Sequence, residues 1–332
     1  MDWSHLIPDG DPVHVDQEAL RYYRCFLIEL HKLGVKAVVT LYHSSHRSPS
    51  LGLPKPLQAA GGWLNYSTVE AFEAYATFCF QELSPWVHTW ITINEPNRLA
   101  ELYNGSTEKH LRAAHHLLLA HAQVWHVYND QYRPQHGAQV TFTLHADWVE
   151  PANPFLESHK AATERLLLFE LGRFLDPFLA NGGGEYPEQV RGYLEEKVHT
   201  SREAGSSPLP HFTEQERKKI CGALDFIALN HFTTRLVSPI NSLIPNAQPG
   251  SNQHHRPIHG CSFLHDPNWH VSYLGQAVVP WGLRKVLNWV SCRYGNARPI
   301  VVMASGVDDQ ASHDDNLRQT YIREYLQEAL KG

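Results

Sequence analysis

At 332 residues, 42% of them hydrophobic, the sequence is long and apolar enough to bury a full core and suits a single α/β barrel domain. Charged residues make up 19% and the formal net charge is -6, a balance that gives no basis for a nucleic-acid or anionic-membrane partner. The 23 histidines are scattered, with no His-x-x-x-His beside a third ligand, so no metal site and no cofactor are expected.

The first periodic stretch runs from about Asp16 to Leu33. Leu20, Tyr23, Leu27, Leu30 and Leu33 follow the 3–4 spacing of an amphipathic helix, and Gly34 is placed to end it. Val35 to Tyr42 reads as a buried strand, and helix followed by strand is the unit of a parallel βα fold. Ser67-Thr68-Val69-Glu70 reads as a capping box opening a helix that buries Phe72, Ala76, Cys79, Phe80 and Leu83. Trp86 to Ile93, rich in β-branched and aromatic residues, reads as another buried strand. It runs into Asn94-Glu95-Pro96, where the proline stops strand pairing and leaves Glu95 at the strand's C-terminal end. In an α/β barrel that end is where chemistry is done.

His115 to Tyr128 is predicted helical, and Gln139 to Leu144 is a strand ending in His145-Ala146-Asp147-Trp148. A long helix spans about His159 to Leu179 until Gly182-Gly183-Gly184 breaks it. Thr213-Glu214-Gln215-Glu216 is a second capping box, closed at Gly222. Leu224 to Leu229 is a strand, Leu283 to Val290 lies on a helix, Arg298 to Met303 is the last strand, and Leu317 to Leu330 the last helix. Between Ser238 and Val279 the composition shifts to Pro, Asn, Ser, Gly and His without a period, which predicts a long irregular loop at about 238–279. Cys261 falls in it and, of Cys25, Cys79, Cys221, Cys261 and Cys292, is the one expected to pair or react. Asn65-Tyr66-Ser67 and Asn104-Gly105-Ser106 make Asn65 and Asn104 candidate glycosylation sites. No apolar run approaches the roughly 18–20 residues that cross a bilayer, and no charged-then-apolar leader opens the sequence.

Thr92-Ile93-Asn94-Glu95-Pro96, closing a hydrophobic strand, resembles the acid/base motif of the family 1 glycoside hydrolases, the β-glucosidase and lactase group. The resemblance continues in order through Trp3-Ser4…Pro8-Asp9-Gly10, Thr40-Leu41-Tyr42-His43, Gly61-Gly62-Trp63-Leu64-Asn65, Leu229-Asn230-His231-Phe232-Thr233 and Pro280-Trp281-Gly282-Leu283-Arg284. It implies a (β/α)8 TIM barrel of the family 1 type, incomplete, as a single partial domain over residues 1–332. The match begins at the end of the family's second strand, in Met1-Asp2-Trp3-Ser4, and runs through its seventh strand and helix.

A retaining glycosidase works with two carboxylates about 5–5.5 Å apart, one protonating the leaving oxygen and the other attacking the anomeric carbon. By resemblance Glu95 is the retained acid/base, while His43, Asn94 and Asn230 belong to the sugar-binding set. Arg98 and Arg235 are expected near the rim, where a guanidinium can take a carboxylate bidentately. The family's nucleophile stands in Thr-Glu-Asn-Gly after the seventh strand. Here that stretch is Met303-Ala304-Ser305-Gly306, so Ala304 occupies the vacated position. The tyrosine that holds the nucleophile is replaced by Phe232, and the motif that begins at His43 continues as Ser44-Ser45-His46-Arg47.

These losses resemble the klotho branch of the family, and the stretch from Met303 to Gln310 is most like the second glycosidase-like domain of the α-klotho type. The branch implies a non-catalytic, extracellular or cell-surface domain, a co-receptor for an endocrine fibroblast growth factor and its receptor, with a glycan as a further ligand class. The alternative is a β-glycosidase of carbohydrate metabolism with impaired or residual activity.

Overall fold

The structure is a computed structural model that describes residues 1–44, 52–179, 183–201, 209–240, 255–295, 297–309 and 315–331. Its strands are β1 (Ala37–Tyr42), β2 (Val87–Asn94), β3 (Gln139–His145), β4 (Trp148–Pro151), β5 (Ile227–Asn230), β6 (Thr234–Pro239), β7 (His255–Arg256), β8 (Cys261–Leu264) and β9 (Ile300–Ala304). The protein groups into two compact units. One comprises Met1–Leu144, Asp176–Glu185 and Leu194–Ala228; the other comprises His145–Leu175, Tyr186–Tyr193 and Leu229–Gly332.

In the first unit β1, β2 and β3 are parallel neighbours, with Thr40 opposite Ile91 and Ile91 opposite Thr141. Helices Gln17–Lys32, Ser67–Leu83 and Thr107–Val127 alternate with them, which is the βα order expected. Asp16 caps the first helix by accepting from the Glu18 and Ala19 N–H groups. Gly34, at φ 71°, lies just past its end. Ala19, Leu20 and Leu27 are buried, but Leu33 is the C-cap residue and stays exposed. Ser67 does not cap the next helix. Tyr66 holds the cap position, and the local polar groups are committed otherwise: Asn65 Oδ1 accepts from Ser67 N–H at 3.1 Å and the Thr68 hydroxyl donates to Gly62 O at 2.7 Å. The box at Thr213 forms as expected, with the Glu216 carboxylate accepting from Thr213 N–H at 2.7 Å.

Trp3 and Ser4, expected as a strand tip, instead open a short helix, Trp3–Leu6. Asp2 turns the backbone there by accepting from the Ser4 hydroxyl at 2.8 Å and His5 N–H at 3.0 Å. This places Trp3 in an aromatic core, stacked on Tyr75 at 5.1 Å, with Tyr42, Trp63 and Phe72 beside it. All five rings are almost completely buried. At the opposite ends of the strands, Asp225 gathers the segment that leads into β5. It accepts a fork from Arg133 at 2.8 and 3.2 Å, the Trp125 indole N–H at 3.0 Å and Val140 N–H at 2.7 Å.

His121, on the Thr107–Val127 helix, is fully buried. Its Nε2–H donates to Ala223 O at 2.7 Å and its Nδ1 accepts from the Thr92 hydroxyl at 2.8 Å, so the ring is neutral. Burial pulls its pKa down to about 4, and pulls His115 on the same helix down to about 3. The folded value lies below the unfolded one, so the unfolded state takes the proton first. Stability is therefore complete above a pH of about 6.5 and declines as pH falls toward 4, by about 3 kcal/mol for His121. Urea unfolding across that window should show the loss, and His121→Asn should reduce it while leaving the share that belongs to His115. A slope unchanged in the variant would assign the loss to other groups.

In the second unit a four-stranded sheet runs in the order β4-β6-β8-β7, with β4 parallel to β6 and the other pairs antiparallel. Within the stretch expected as an irregular loop at 238–279, Cys261–Leu264 forms a strand, with Phe263 paired to Val237 and Cys261 to Pro239, while residues 265–279 carry no helix or strand. Residues 241–254 lie outside the described residues. Cys261 is a buried strand residue with its thiol 3.2 Å from His259 O and 3.4 Å from Ala162 O, not a reactive loop cysteine. Cys25, Cys221 and Cys292 are the exposed ones. The long helix is interrupted by a π turn, Leu168–Gly172, between Glu157–Leu167 and Arg173–Leu179. Of the three glycines expected to break it, Gly182 lies outside the described residues. Helices Trp281–Tyr294 and Asn316–Ala329 flank β9 in sequence.

Candidate functional site

At Asn94 β2 ends, and the backbone turns at Glu95 into the short Pro96–Glu101 helix. Proline suits the first helical position because that residue needs no N–H partner. To make the turn Glu95 takes φ 49° and ψ 56°, the one non-glycine residue in the left-handed region among those described. Such a conformation costs about 1–3 kcal/mol and persists only where its surroundings hold it. Glu95 N–H donates to Thr143 O at 2.7 Å, and the Glu95 carbonyl accepts from Arg98 N–H at 3.0 Å and Leu99 N–H at 2.9 Å. Asn94 Nδ2 donates to His43 Nε2 at 3.1 Å, while His43 Nδ1–H donates to Ser44 O at 3.0 Å, which fixes the imidazole in one tautomer. His43, Asn94 and Glu95 are thus gathered at the C-terminal ends of β1 and β2. Arg98 lies one turn further on, half-buried and paired with Glu101 at 3.0 Å.

The other expected residues lie in the second unit. Ala304 ends β9, half-buried, and its carbonyl accepts from His231 N–H at 2.9 Å. Burial lowers the pKa of His231, so its neutral ring donates from Nδ1 to Ala146 O at 2.8 Å. Asn230 is buried at the end of β5, and its carbonyl accepts from Ala146 N–H at 2.7 Å. The Phe232 ring lies 5.7 Å from the ring of His145 and offers no hydroxyl. Its carbonyl instead accepts from Gln276 Nε2 at 2.8 Å and from the Tyr321 hydroxyl at 3.0 Å. That hydroxyl is also 3.1 Å from Ser305 Oγ, and burial raises the Tyr321 pKa, which keeps the phenol neutral.

Arg235 Nη2 lies 3.7 Å from Asp147 Oδ2, and the guanidinium sits 5.1 Å from the centre of the Phe263 ring. The same carboxylate is 2.8 Å from His145 Nε2 and accepts from Thr233 N–H at 3.3 Å. Sequence reasoning missed this His145–Asp147–Arg235 group. Its first two members were visible at the end of β3, but the third comes from β6 and nothing local connects them.

Chemically, Glu95 can hold and deliver a proton. The Ala304 methyl group cannot attack carbon, and the Ser305 hydroxyl has a phenol beside it instead of a base. Among the described residues no group of three or more His, Cys, Asp or Glu could hold a metal ion, and no helix is long and apolar enough to cross a membrane. Asn65 and Asn104 are both exposed.

The sequence profile of glycosyl hydrolase family 1 matches residues 1–332. Over the whole chain, beta-klotho of Mus musculus is 47% identical and klotho of Mus musculus 39%. The higher identity is thus to beta-klotho, although single motifs were most like the α type. The chain spans 30% of the length of both relatives. Cytosolic beta-glucosidase of Homo sapiens is 35% identical, with 100% of this chain matched to 70% of that protein. Among solved structures, aphid myrosinase superposes with a TM-score of 0.87 at 28% identity, over 99% of this chain and 70% of its own. The α/β fold with parallel strands is the family's TIM-barrel fold over the part this chain spans, and the chain belongs to glycosyl hydrolase family 1.

Proposed function

We propose that the chain is a klotho-type, non-catalytic glycosidase-like domain of an extracellular or cell-surface protein, acting as a co-receptor for an endocrine fibroblast growth factor and its receptor. The observation that carries this reading is Ala304, a methyl group at the end of β9 where a retaining enzyme needs its nucleophilic carboxylate. Phe232 supports it, because a hydroxyl that orients a nucleophile has no task once the nucleophile is gone. The identity to beta-klotho over the whole chain supports it as well. Partner contact is assigned to the C-terminal ends of β1 and β2, where His43, Asn94 and Glu95 form the floor. Asn230, at the end of β5, is assigned to the same partner. Arg98 and Arg235 already hold Glu101 and Asp147, so a peptide or glycan carboxylate binding there must compete with a carboxylate of the protein itself.

The left-handed Glu95 favours a second reading, a β-glycosidase with residual activity, since that strained geometry is kept. The two readings separate in one experiment. Under the co-receptor reading, hydrolysis of aryl β-glucosides and β-galactosides stays at background, while binding of an endocrine fibroblast growth factor weakens roughly tenfold or more when His43 and Asn94 are both changed to alanine, as for a central contact. A measurable rate that vanishes on Glu95→Gln would sink the non-catalytic reading.

A further inference from the structure

Asn104-Gly105 is the one Asn-Gly pair among the described residues, and it lies in the exposed turn between the Pro96–Glu101 and Thr107–Val127 helices. Neither the Asn104 side chain nor the Gly105 N–H has a hydrogen-bond partner among those residues, so nothing ties down the amide or the nitrogen that follows it. The contrast with Asn65 is direct. There Nδ2 donates to Ala60 O at 3.2 Å and Oδ1 accepts from Ser67 N–H at 3.1 Å, and the next residue is a tyrosine.

We infer that Asn104 modifies itself by deamidation, and that a glycan on the same side-chain nitrogen is its alternative fate. The Gly105 backbone nitrogen, losing its proton to solvent, attacks the Asn104 Cγ. A new bond between that nitrogen and Cγ closes a five-membered succinimide. The bond from Cγ to Nδ2 breaks as Nδ2 takes up a proton and leaves as ammonia. Water then opens the ring at either carbonyl, giving aspartate or isoaspartate. No oxidant or other co-reactant is needed. Glycine favours the attack because no Cβ restricts the backbone conformations that bring nitrogen to carbonyl.

Isoaspartate lengthens the backbone by one carbon between two anchored neighbours. Tyr103 accepts from Trp63 N–H through its hydroxyl at 2.9 Å, and Ser106 caps the Thr107–Val127 helix by accepting from Lys109 N–H at 3.2 Å. The modified protein should therefore unfold at lower denaturant. The glycan branch rests on the extracellular reading above, because Asn104-Gly105-Ser106 is an acceptor sequence only in a protein that enters the secretory pathway.

The test is peptide mass spectrometry on the full chain made without glycosylation and incubated at mildly alkaline pH. The peptide holding Asn104 should gain about 1 Da, from NH2 replaced by OH, and split into aspartate and isoaspartate forms. Gly105→Ala should slow this roughly tenfold by restricting the backbone. That variant should fold, since a Cβ there meets nothing nearer than Lys109 Cδ at 3.5 Å. Conversion at other described asparagines before Asn104, or a rate unaffected by Gly105→Ala, would overturn the deamidation inference. In the protein secreted from animal cells, Asn104 should carry a glycan and show no mass gain, and Ser106→Ala should expose it to deamidation. Secreted protein with a bare Asn104 would overturn the glycan branch and leave the first arm standing.

Discussion

Asp225→Ala should lower stability by about 2–3 kcal/mol, the upper part of the range for leaving part-buried donors without their acceptor. The carboxylate is mostly buried, and its loss strips the Trp125 indole and the Val140 amide of their acceptor and leaves the Arg133 fork with only Ala138 O, 3.3 Å from Nη1. Arg133 cannot swing out to water without leaving the faces of Trp125 and Tyr128, 5.4 and 5.6 Å away. Asp225→Asn keeps an acceptor and should recover part of the loss. Denaturant unfolding near neutral pH reads both variants. A loss under about 1 kcal/mol for the alanine would mean that solvent replaces the carboxylate, as it does at exposed ion pairs. The group lies at the N-terminal ends of the strands, where a barrel keeps stability and not chemistry.

Ala304→Glu should fail to bring back glycosidase turnover, leaving rates at least about 10²-fold below those of a competent family member, the penalty for a reacting group misplaced by about 1 Å. The new carboxylate would arrive without its orienting phenol. Phe232 has no hydroxyl, and the nearby Tyr321 hydroxyl is committed to Phe232 O and Ser305. Adding Phe232→Tyr should raise whatever trace the single variant shows. Initial rates on aryl β-glucosides decide the matter, and ordinary turnover from Ala304→Glu alone would mean that the surroundings of β9 are still built for catalysis.

The parts of the fold legible in the sequence were those specified locally. Runs such as Val87–Asn94 carry their own β-branched pattern, and Thr213 with Glu216 lies within one turn. What escaped was set by competition or by distance. Ser67 looked like a cap, but Asn65 had already captured its N–H. Cys261–Leu264 has no period of its own and becomes a strand because Thr234–Pro239 offers an edge to pair with. The candidate site divides in the same way. Glu95 and Ala304 are read from motifs, whereas Asp147 holding His145 and Arg235 exists only after folding. That Arg98 and Arg235 already have carboxylates was likewise invisible, because an ion pair leaves no mark on composition.

The left-handed backbone at Glu95 limits how this position can drift. Under the non-catalytic reading selection for acid/base chemistry at the carboxylate is released, yet the turn from β2 into Pro96–Glu101 still demands positive φ. Residues branched at Cβ cannot take that conformation cheaply, whereas glycine, asparagine and aspartate can. Substitutions at 95 should therefore drain toward those three and not toward the apolar residues of the strand before it. Glutamate is not one of the three, so the turn alone does not explain its retention at 95, and a contact of its carboxylate with a partner or a substrate is what would keep it there.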